Sequence, residues 1–433
     1  MSQPLTAVER RVVGALDPDA LLAFLSDLIA IPSVANMETP AQERVAAEME
    51  SIGLETDVWK IDFASLKRHP AYTSDVERSE GLGVVGTLAT GGGARPAGAG
   101  AAGGTLILNG HVDVVPAGEA DRWTRPPFEL TEEGGRLFGR GVVDMKGQLA
   151  AALAAARAIR DAGVEMAGAL QIQSVIGEED GGAGTLATIE RGHTGDGAIV
   201  IEPTRFVLAP AQAGALSFRL TVPGKAAHGA LREEGVDPVE KFIPLFERIR
   251  GLEAERNSGV SDPLFADEAL PFAVTMGRIR AGIWPSTVAE ALVAEGRYGV
   301  APGEDLALAR ARLERAVIEI ASDDPWLSTH PPKVEWPGAQ FEPARTDPED
   351  PIVTTVADAI LAVTDEAPRI GGMRYGADMR LLVNVAGIPT VLFGPGDVRE
   401  AHRPDESIAL EDLVRAARIL AVTALRFCGV RSP

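Results

Sequence analysis

The sequence predicts an α/β protein in which a mixed sheet with helices on both faces is interrupted by a smaller inserted α+β domain. Three observations support this prediction. At 433 residues the chain is too long for one ordinary compact core. Its first half alternates continuous apolar runs, typical of buried strands, with helical patterns. After about residue 211 the strand pattern becomes alternating, and the first pattern returns near the end.

The larger domain opens with two amphipathic helices, because residues 18–30 and 40–52 have apolar positions at helical spacing. The run TLILNG (105–110) is apolar without alternation, which is typical of a strand covered on both faces. The elements after it are, in order, a helix at 148–163 and strands at 169–177 and 197–203. In such sheets the chemistry gathers at the carboxyl ends of the strands.

The inserted domain begins with a strand at 215–224, whose alternating pattern suits a half-exposed antiparallel sheet. The elements after it are, in order, a helix at 237–253, two paired strands, a helix at 303–322 and a short strand at 332–336. This β-α-β-β-α-β order is ferredoxin-like. The α/β pattern then resumes and closes with a helix at 409–426. We place the larger domain at 1–210 and 330–433, and the inserted domain at 211–329.

Composition restricts the classes of partner. Hydrophobic residues make up 45% of the chain and charged residues 24%, as in soluble globular proteins. The formal charge of −21 repels polyanions, so we expect no nucleic-acid partner and no membrane-surface partner. No run approaches the ~20 apolar residues of a membrane span. The resulting prediction is a cytoplasmic protein that binds a small molecule.

Only nitrogen and oxygen ligands are available for a protein-bound metal. The single cysteine, Cys428, can form neither an intrachain disulfide nor a thiolate cluster. Among six histidines, His111 stands out because Asp113 follows two positions later, on the same side of an extended chain. The carboxylate of Asp113 could accept the second N–H of the imidazole and set its tautomer.

Acidic residues at later positions could complete such a site. Asp144, in the glycine-rich segment GRGVVDMKG, is either a turn residue or a ligand. Glu178 and Glu179 follow a predicted strand, and they form either a solvated loop or a pair in which one binds metal and the other takes a proton from water. Glu202 ends the next strand, and His402 follows a GPG turn. These donors suit zinc, cobalt or manganese, and an aspartate can bridge two ions ~3.5–4 Å apart.

Five segments, taken together, resemble one enzyme family. They are GHVDVVP, GRGVVDMKG, the Glu178–Glu179 pair, IEPT and AHRPDES. They resemble the dinuclear zinc metallopeptidase and amidohydrolase family of acetylornithine deacetylase, succinyl-diaminopimelate desuccinylase, aminoacylase and glutamate carboxypeptidase. The resemblance covers nearly the whole chain, including the inserted domain. It implies two divalent metal ions, with zinc as the first expectation and cobalt or manganese as alternatives.

The resemblance implies a role for each residue that matches a motif. Glu178 matches the general base, and Asp113 matches the aspartate that orients a histidine ligand. The expected metal ligands are His111 and Glu202 for one ion, Glu179 and His402 for the other, and Asp144 as the bridge.

The inserted domain resembles the lid and dimerisation domain of that family, which implies a homodimer. In VPGKAAHGA, His228 matches a histidine that stabilises the oxyanion, commonly in the active site of the partner subunit. Arg380 matches an arginine that holds a substrate carboxylate in deacylase-like relatives, and its alternative is a helix-surface ion pair. Arg297 is a second candidate of that kind. Many relatives have an asparagine in the segment AGIWPSTVAE, where Trp284 could instead line a pocket for the acyl group.

The predicted reaction is hydrolysis of an amide bond. The first expected substrate is an N-acyl amino acid or a related small amide with a carboxylate, because of Arg380. The alternatives are a dipeptidase or carboxypeptidase, and hydrolysis of an N-carbamoyl or N-formyl amide. From a different class, the chain could be a non-catalytic binding protein of the same fold, which the complete set of metal-site residues argues against.

Overall fold

The chain divides into two compact units. The structure, a computed structural model, describes residues 4–89 and 103–431. Unit 1 lies within Met1–Ala211, Arg345–Gly371 and Ala377–Pro433, and unit 2 comprises Gln212–Ala344 with Gly372–Gly376.

The C-terminal boundary of the inserted unit lies further along the chain than the sequence predicts. The expected domain ended at residue 329, whereas unit 2 continues to Ala344. Strand pairing is the reason, because Lys333–Glu335 and Gln340–Phe341 both pair with the strand Gly214–Pro223. The predicted strand at 332–336 already belongs to the β-α-β-β-α-β order of the inserted domain, so a boundary at 329 is too early, and the two residues Gln340–Phe341 are too short a strand to be assigned from sequence.

The helices and strands of the described residues are numbered in chain order. The helices are α1 (Ala7–Gly14), α2 (Pro18–Ile29), α3 (Thr39–Ile52), α4 (Phe63–Leu66), α5 (Lys146–Asp161), α6 (Ala183–Glu190), α7 (Pro238–Ser258), α8 (Leu306–Asp323), α9 (Pro351–Thr364), α10 (Met379–Asn384) and α11 (Leu410–Cys428). The strands are β1 (Glu55–Lys60), β2 (Leu82–Ala89), β3 (Thr105–His111), β4 (Thr131–Glu133), β5 (Arg136–Phe138), β6 (Ala169–Val175), β7 (Gly197–Val200), β8 (Val207–Gln212), β9 (Gly214–Pro223), β10 (Ala227–His228), β11 (Val274–Ala281), β12 (Thr287–Val288), β13 (Ala291–Val300), β14 (Lys333–Glu335), β15 (Gln340–Phe341), β16 (Ala344–Arg345), β17 (Arg369–Met373), β18 (Thr390–Leu392) and β19 (Ser407–Ala409).

Unit 1 is built on a mixed sheet, as predicted. Seven strands of this nine-stranded sheet have the order β1-β2-β6-β3-β7-β18-β8. Strand β3 runs parallel to β6 and β7, and β7 runs parallel to β18, whereas β1, β2 and β8 pair antiparallel. Every residue of β6 and β7 is buried, as is every residue of β3 except its first. Since successive side chains of a strand point to opposite faces, the centre of this sheet is covered on both faces.

The strand order of unit 1 brings the candidate residues together. His111 is the last residue of β3. Glu178 follows the end of β6 by three residues, and Glu202 follows the end of β7 by two. Because β6, β3 and β7 are parallel neighbours, their carboxyl ends lie at one edge of the sheet.

Unit 2 has the predicted β-α-β-β-α-β order, formed by β9, α7, β11, β13, α8 and β14. Its antiparallel sheet has the strand order β11-β13-β9-β14. The residues of β9 alternate between buried and half-buried, as expected for a sheet with one face on a core. Its buried side chains, such as Phe218 and Leu220, pack with residues of α7 and α8, including Leu245 and Leu313.

Across residues 4–89 and 103–431, no helix combines the length and the apolar character that a membrane crossing would need.

Candidate metal centre

His111, at the end of β3, presents one ring nitrogen to the centre. The residue is only 1% exposed, and its Nδ1 lies 2.8 Å from the main-chain oxygen of Asp113. A carbonyl oxygen only accepts, so Nδ1 carries the proton and Nε2 is the nitrogen left for a ligand role. His111 Nε2 lies 3.0 Å from Asp144 Oδ1 and 3.9 Å from Glu178 Oε2.

The expected hydrogen bond between the Asp113 carboxylate and the imidazole is wrong. Asp113 Oδ1 lies 3.7 Å from His111 Nδ1, too far for a hydrogen bond. Asp113 Oδ2 instead accepts from the main-chain N–H of Glu179 at 3.1 Å. Burial lowers the pKa of His111, but the charges of Asp113, Asp144 and Glu178 together raise it well above its ordinary value. The main-chain oxygen of Asp113, and not its carboxylate, is therefore the hydrogen-bond partner of Nδ1.

Five of the predicted residues form two overlapping groups that could each hold a metal ion. One group is His111, Asp144 and Glu202, the other is Asp144, Glu179 and His402, and the ligand atoms of each lie within 4.8 Å of one another. Asp144 belongs to both groups. Its Oδ1 faces His111, and its Oδ2 lies 3.3 Å from His402 Nε2. His402 Nε2 also lies 2.9 Å from Glu179 Oε1.

The charge of this cluster fits divalent cations. Burial raises the pKa of Glu178, Glu179 and Glu202, and the neighbouring carboxylates raise it further. Burial also raises the pKa of Asp144, but hydrogen bonds from both histidines outweigh it and lower that pKa below its ordinary value. Glu202 Oε1 is buried without a hydrogen-bond partner among the described residues. Buried carboxylates with an unsatisfied oxygen are expected where the protein holds a cation.

Glu178 lies beside the centre, with Oε2 3.9 Å from His111 Nε2, and belongs to neither group. It is 8% exposed. The alternative of a solvated acidic loop is wrong for this turn, because Asp180, the third acid in the run, is 5% exposed. Arg78 binds Asp180 and also donates to Glu38 Oε1 at 2.7 Å. Sequence reasoning misses Arg78, because nothing local pairs it with an acid 102 residues away.

Arg380 lies inside unit 1 and not on a helix surface. It is 2% exposed, and its Nη2 donates to the main-chain oxygen of Gly181 at 2.7 Å. The predicted surface ion pair is therefore wrong. Its neighbour Asp378, which sequence reasoning misses, is fully buried and accepts from Thr185 Oγ1 at 2.6 Å. Burial raises the pKa of Asp378 to about 6.

The other three predicted residues belong to unit 2. His228 is exposed, and its Nδ1 accepts from the main-chain N–H of Ala230 at 3.1 Å. Arg297 donates to the main-chain oxygen of Arg374 at 2.7 Å. Trp284 is 69% exposed. Their roles toward a substrate stay predictions.

Comparison with known proteins identifies the family. The family model for peptidase family M20/M25/M40 matches residues 107–426. The chain belongs to this family. As the sequence predicts, this M20 chain is a metal-dependent enzyme that hydrolyses amide bonds.

Curated relatives of the M20 chain include deformylases and desuccinylases. An N-formyl-4-amino-5-aminomethyl-2-methylpyrimidine deformylase of Halalkalibacterium halodurans is 28% identical over 441 residues, covering 95% of each chain. The Bacillus subtilis protein of that name is 31% identical, covering 75% of this chain and 80% of its own. A "Probable succinyl-diaminopimelate desuccinylase" of Staphylococcus epidermidis is 25% identical, covering 70% of this chain and 78% of its own.

Solved structures show the same fold. The di-peptidase Dug1p of Saccharomyces cerevisiae has a TM-score of 0.74 and 16% identity, covering 99% of each chain. The YXEP protein of Bacillus subtilis, a dinuclear metal binding peptidase from the M20 family, has a TM-score of 0.61 and 16% identity, covering 94% of this chain and 97% of its own. The mixed α/β architecture of the M20 chain is confirmed by this likeness.

Proposed function

We propose that this M20 enzyme removes a formyl group, or another small acyl group, from an amine carried by a small molecule without a carboxylate. The observation that carries the proposal is the position of Arg380. Arg380 was the reason to expect a substrate with a carboxylate. It is buried, and its Nη2 donates to the main-chain oxygen of Gly181, so this cation is already engaged within the protein. Three further cations near the ligand-bearing loops are buried and donate to protein oxygens: Arg78, Arg140 and Lys146.

The names of the relatives support the same choice. Two deformylases named for an N-formyl aminomethylpyrimidine match this chain, one of them over 95% of both lengths. That compound carries a formamide and no carboxylate. Among the alternatives from the sequence, hydrolysis of an N-formyl amide is therefore preferred.

A second candidate is removal of a succinyl or other acyl group from an amino acid, as the desuccinylase relatives suggest. Such a substrate carries a carboxylate and needs a cation to bind it. Arg297 of unit 2 is the predicted residue for this role, but its Nη2 already donates to the main-chain oxygen of Arg374 at 2.7 Å. This substrate therefore ranks second.

The proposed cofactors are two divalent ions, zinc first, with cobalt or manganese as alternatives. His111 and Glu202 would hold one ion, Glu179 and His402 the other, and Asp144 would contact both. When bound, such ions lower the pKa of a coordinated water and polarise a substrate carbonyl. Imidazole and carboxylate ligands suit all three metals.

Glu178 is the proposed general base. Hydrolysis forms a bond between water oxygen and the formyl carbon, breaks the carbon–nitrogen bond and yields formate and a free amine. Glu178, at the centre but outside both metal groups, would take one proton from water and pass it to the leaving nitrogen. We assign His228 to stabilise the oxyanion with its exposed imidazole.

The proposed assembly is a homodimer through unit 2. Strand β11 is an edge strand of that sheet, so among the described residues one side of its main chain has no paired strand. Ile279 on this strand is 49% exposed, and the loop after it carries Ile283 and Trp284, which are 101% and 69% exposed. Apolar side chains beside an open edge favour contact with a second copy. We also propose a cytoplasmic location, and the charge of −21 argues against nucleic-acid and membrane-surface partners.

A substrate panel tests the proposal. The enzyme, reconstituted with zinc, cobalt or manganese, is assayed on the N-formyl aminomethylpyrimidine, an N-acetyl amino acid and N-succinyl-diaminopimelate, each with and without a chelator. We expect kcat/KM at least about tenfold higher on the formyl amide, and loss of activity with chelator. A preference for either acidic substrate would reject the formyl assignment, and activity that resists the chelator would reject the metal assignment.

A further inference from the structure

A fully buried carboxylate, Glu406, lies beneath the candidate metal centre and belongs to neither metal group. Its Oε1 accepts three main-chain N–H groups, from Gly141 at 3.1 Å, Val143 at 2.8 Å and Asp144 at 3.1 Å. Its Oε2 accepts from Arg140 Nη1 at 2.6 Å. The carboxylate thus fixes the turn that carries Asp144.

Gly141 makes this convergence possible. It has φ of +91°, a left-handed conformation that residues with a side chain rarely adopt. The neighbouring main chain is also tied to the Glu406 segment, because Gly139 N–H donates to the main-chain oxygen of Glu406 at 3.1 Å. Strand β19 then pairs with β5, with Ser407 opposite Phe138.

The same segment carries a ligand of the second metal group. His402 lies four residues before Glu406, and its Nε2 faces Asp144 Oδ2 at 3.3 Å. Asp144 Oδ1 faces His111 Nε2 at 3.0 Å. A displacement of the Asp144 main chain would therefore move a ligand oxygen in both groups at once.

We propose that Glu406 is the positioning residue that holds the shared ligand Asp144 in register with both histidines, so that both metal ions lose affinity together when it is removed. The inference rests on the two-metal site of the proposed function. It does not depend on which amide is the substrate, because its test measures metal binding alone.

The physical reason is the number of hydrogen-bond donors that Glu406 satisfies. Without its carboxylate, three buried main-chain donors and the buried guanidinium of Arg140 lose an acceptor. Buried donors cannot stay unpaired at low cost, so the turn would rearrange until they find other acceptors. The turn contains Asp144, whose two oxygens then lose their placement.

The test is titration of the chelator-stripped full chain with Zn²⁺, followed calorimetrically, and with Co²⁺, followed by its visible absorption. Glu406→Ala is expected to weaken both binding steps by about 10–100-fold. Glu406→Gln is isosteric and keeps one acceptor oxygen for the three N–H groups, but it presents an amide N–H to Arg140 or to the turn. The metal affinities of Glu406→Gln should therefore lie between those of Glu406→Ala and wild type. If Glu406→Ala does not fold, Glu406→Gln is used for the test.

Glu9→Gln is the matched control. Glu9 is a carboxylate that is 4% exposed and pairs with Arg426 at 2.7 Å, with no contact to either metal group. It should lower the unfolding temperature and leave both metal affinities unchanged. The proposal would be overturned if Glu406→Gln binds both metal ions with wild-type affinity, or if affinity falls in only one of the two binding steps. If wild type itself binds fewer than two ions, the two-metal assignment fails, whereas failure on the formyl substrate alone leaves this inference intact.

Discussion

The ring Nδ1 of His111 lies 2.8 Å from the main-chain oxygen of Asp113, whereas the carboxylate of Asp113 stays 3.7 Å away. The main-chain oxygen of Asp113 therefore accepts the Nδ1 proton, and Nε2 faces Asp144 Oδ1 at 3.0 Å. The Asp113 side chain contributes its negative charge and accepts from Glu179 N–H.

The variant Asp113→Asn tests whether the main chain or the carboxylate of Asp113 holds the His111 ring. The amide oxygen can still accept from Glu179 N–H, and the main-chain contact to His111 is unchanged. We expect Zn²⁺ affinity, measured by calorimetry on chelator-stripped protein, to fall by no more than about tenfold. A loss of about hundredfold or more would show that the carboxylate itself holds the ring.

Glu178→Gln separates proton transfer from metal binding. Because Glu178 lies outside both metal groups, the variant should bind as much metal as wild type while kcat falls by about 10²–10⁴-fold. Metal content by elemental analysis and steady-state kinetics measure the two effects. Glu179→Gln is the comparison, since it should lose metal from the group of Asp144 and His402. Retained turnover in Glu178→Gln would remove this residue as the base.

Arg380→Met tests whether this arginine serves the substrate or the fold. Removing this buried donor takes away the Arg380 partner of the Gly181 oxygen and the Arg380 charge near Asp378, so unfolding in urea should show a loss of about 3 kcal/mol. Its kcat/KM should change equally for substrates with and without a carboxylate. A selective loss on N-acyl amino acids would restore Arg380 as a carboxylate anchor. The control is Arg191→Met, whose exposed pair with Asp57 should change the urea unfolding midpoint much less than Arg380→Met does.

Glu9 makes stability depend on pH. Burial raises its pKa, but Arg426 and Thr6 outweigh this and lower the pKa from its ordinary value. A carboxylate with a lowered pKa stabilises the fold above its unfolded pKa of about 4.3 and loses that effect as pH falls through the folded value. Glu9→Gln should thus cost about 2 kcal/mol near neutral pH and progressively less in acid. Urea unfolding at several pH values measures this, and a cost independent of pH would contradict it.

The exposed edge of β11 suggests which variants should disrupt the proposed homodimer. The double variant Ile279→Glu with Trp284→Glu places charges beside the open edge and should shift a dimer toward monomer in analytical ultracentrifugation. Ile318→Glu, on α8 and 60% exposed, is the control and should leave the mass unchanged. A wild-type chain that sediments as a monomer would reject the proposed homodimer.

The pattern of apolar residues in the strands was enough to predict where several residues of the candidate metal centre lie. The apolar runs of β3, β6 and β7 have no alternation, which is the pattern of parallel strands buried on both faces. Polar residues directly after such strands must meet at one edge, so His111, Glu178 and Glu202 could be grouped from sequence. His402 and Asp144 needed the family motifs, because their loops have no pattern of their own.

Contacts between distant parts of the chain became known only from the tertiary structure. Glu406 binds the main chain of Asp144 across 262 residues, and Arg380 reaches Gly181 across 199. Local pattern reports which residues are apolar or turn-forming, but not which buried donor finds which acceptor, because those pairs exist only after the strands have packed. For this reason the sequence determined the family, the sheet and the ligand types. The structure decided that the main-chain oxygen of Asp113 contacts His111 Nδ1, that Arg380 is internal and that Glu406 accepts from the main chain of Asp144.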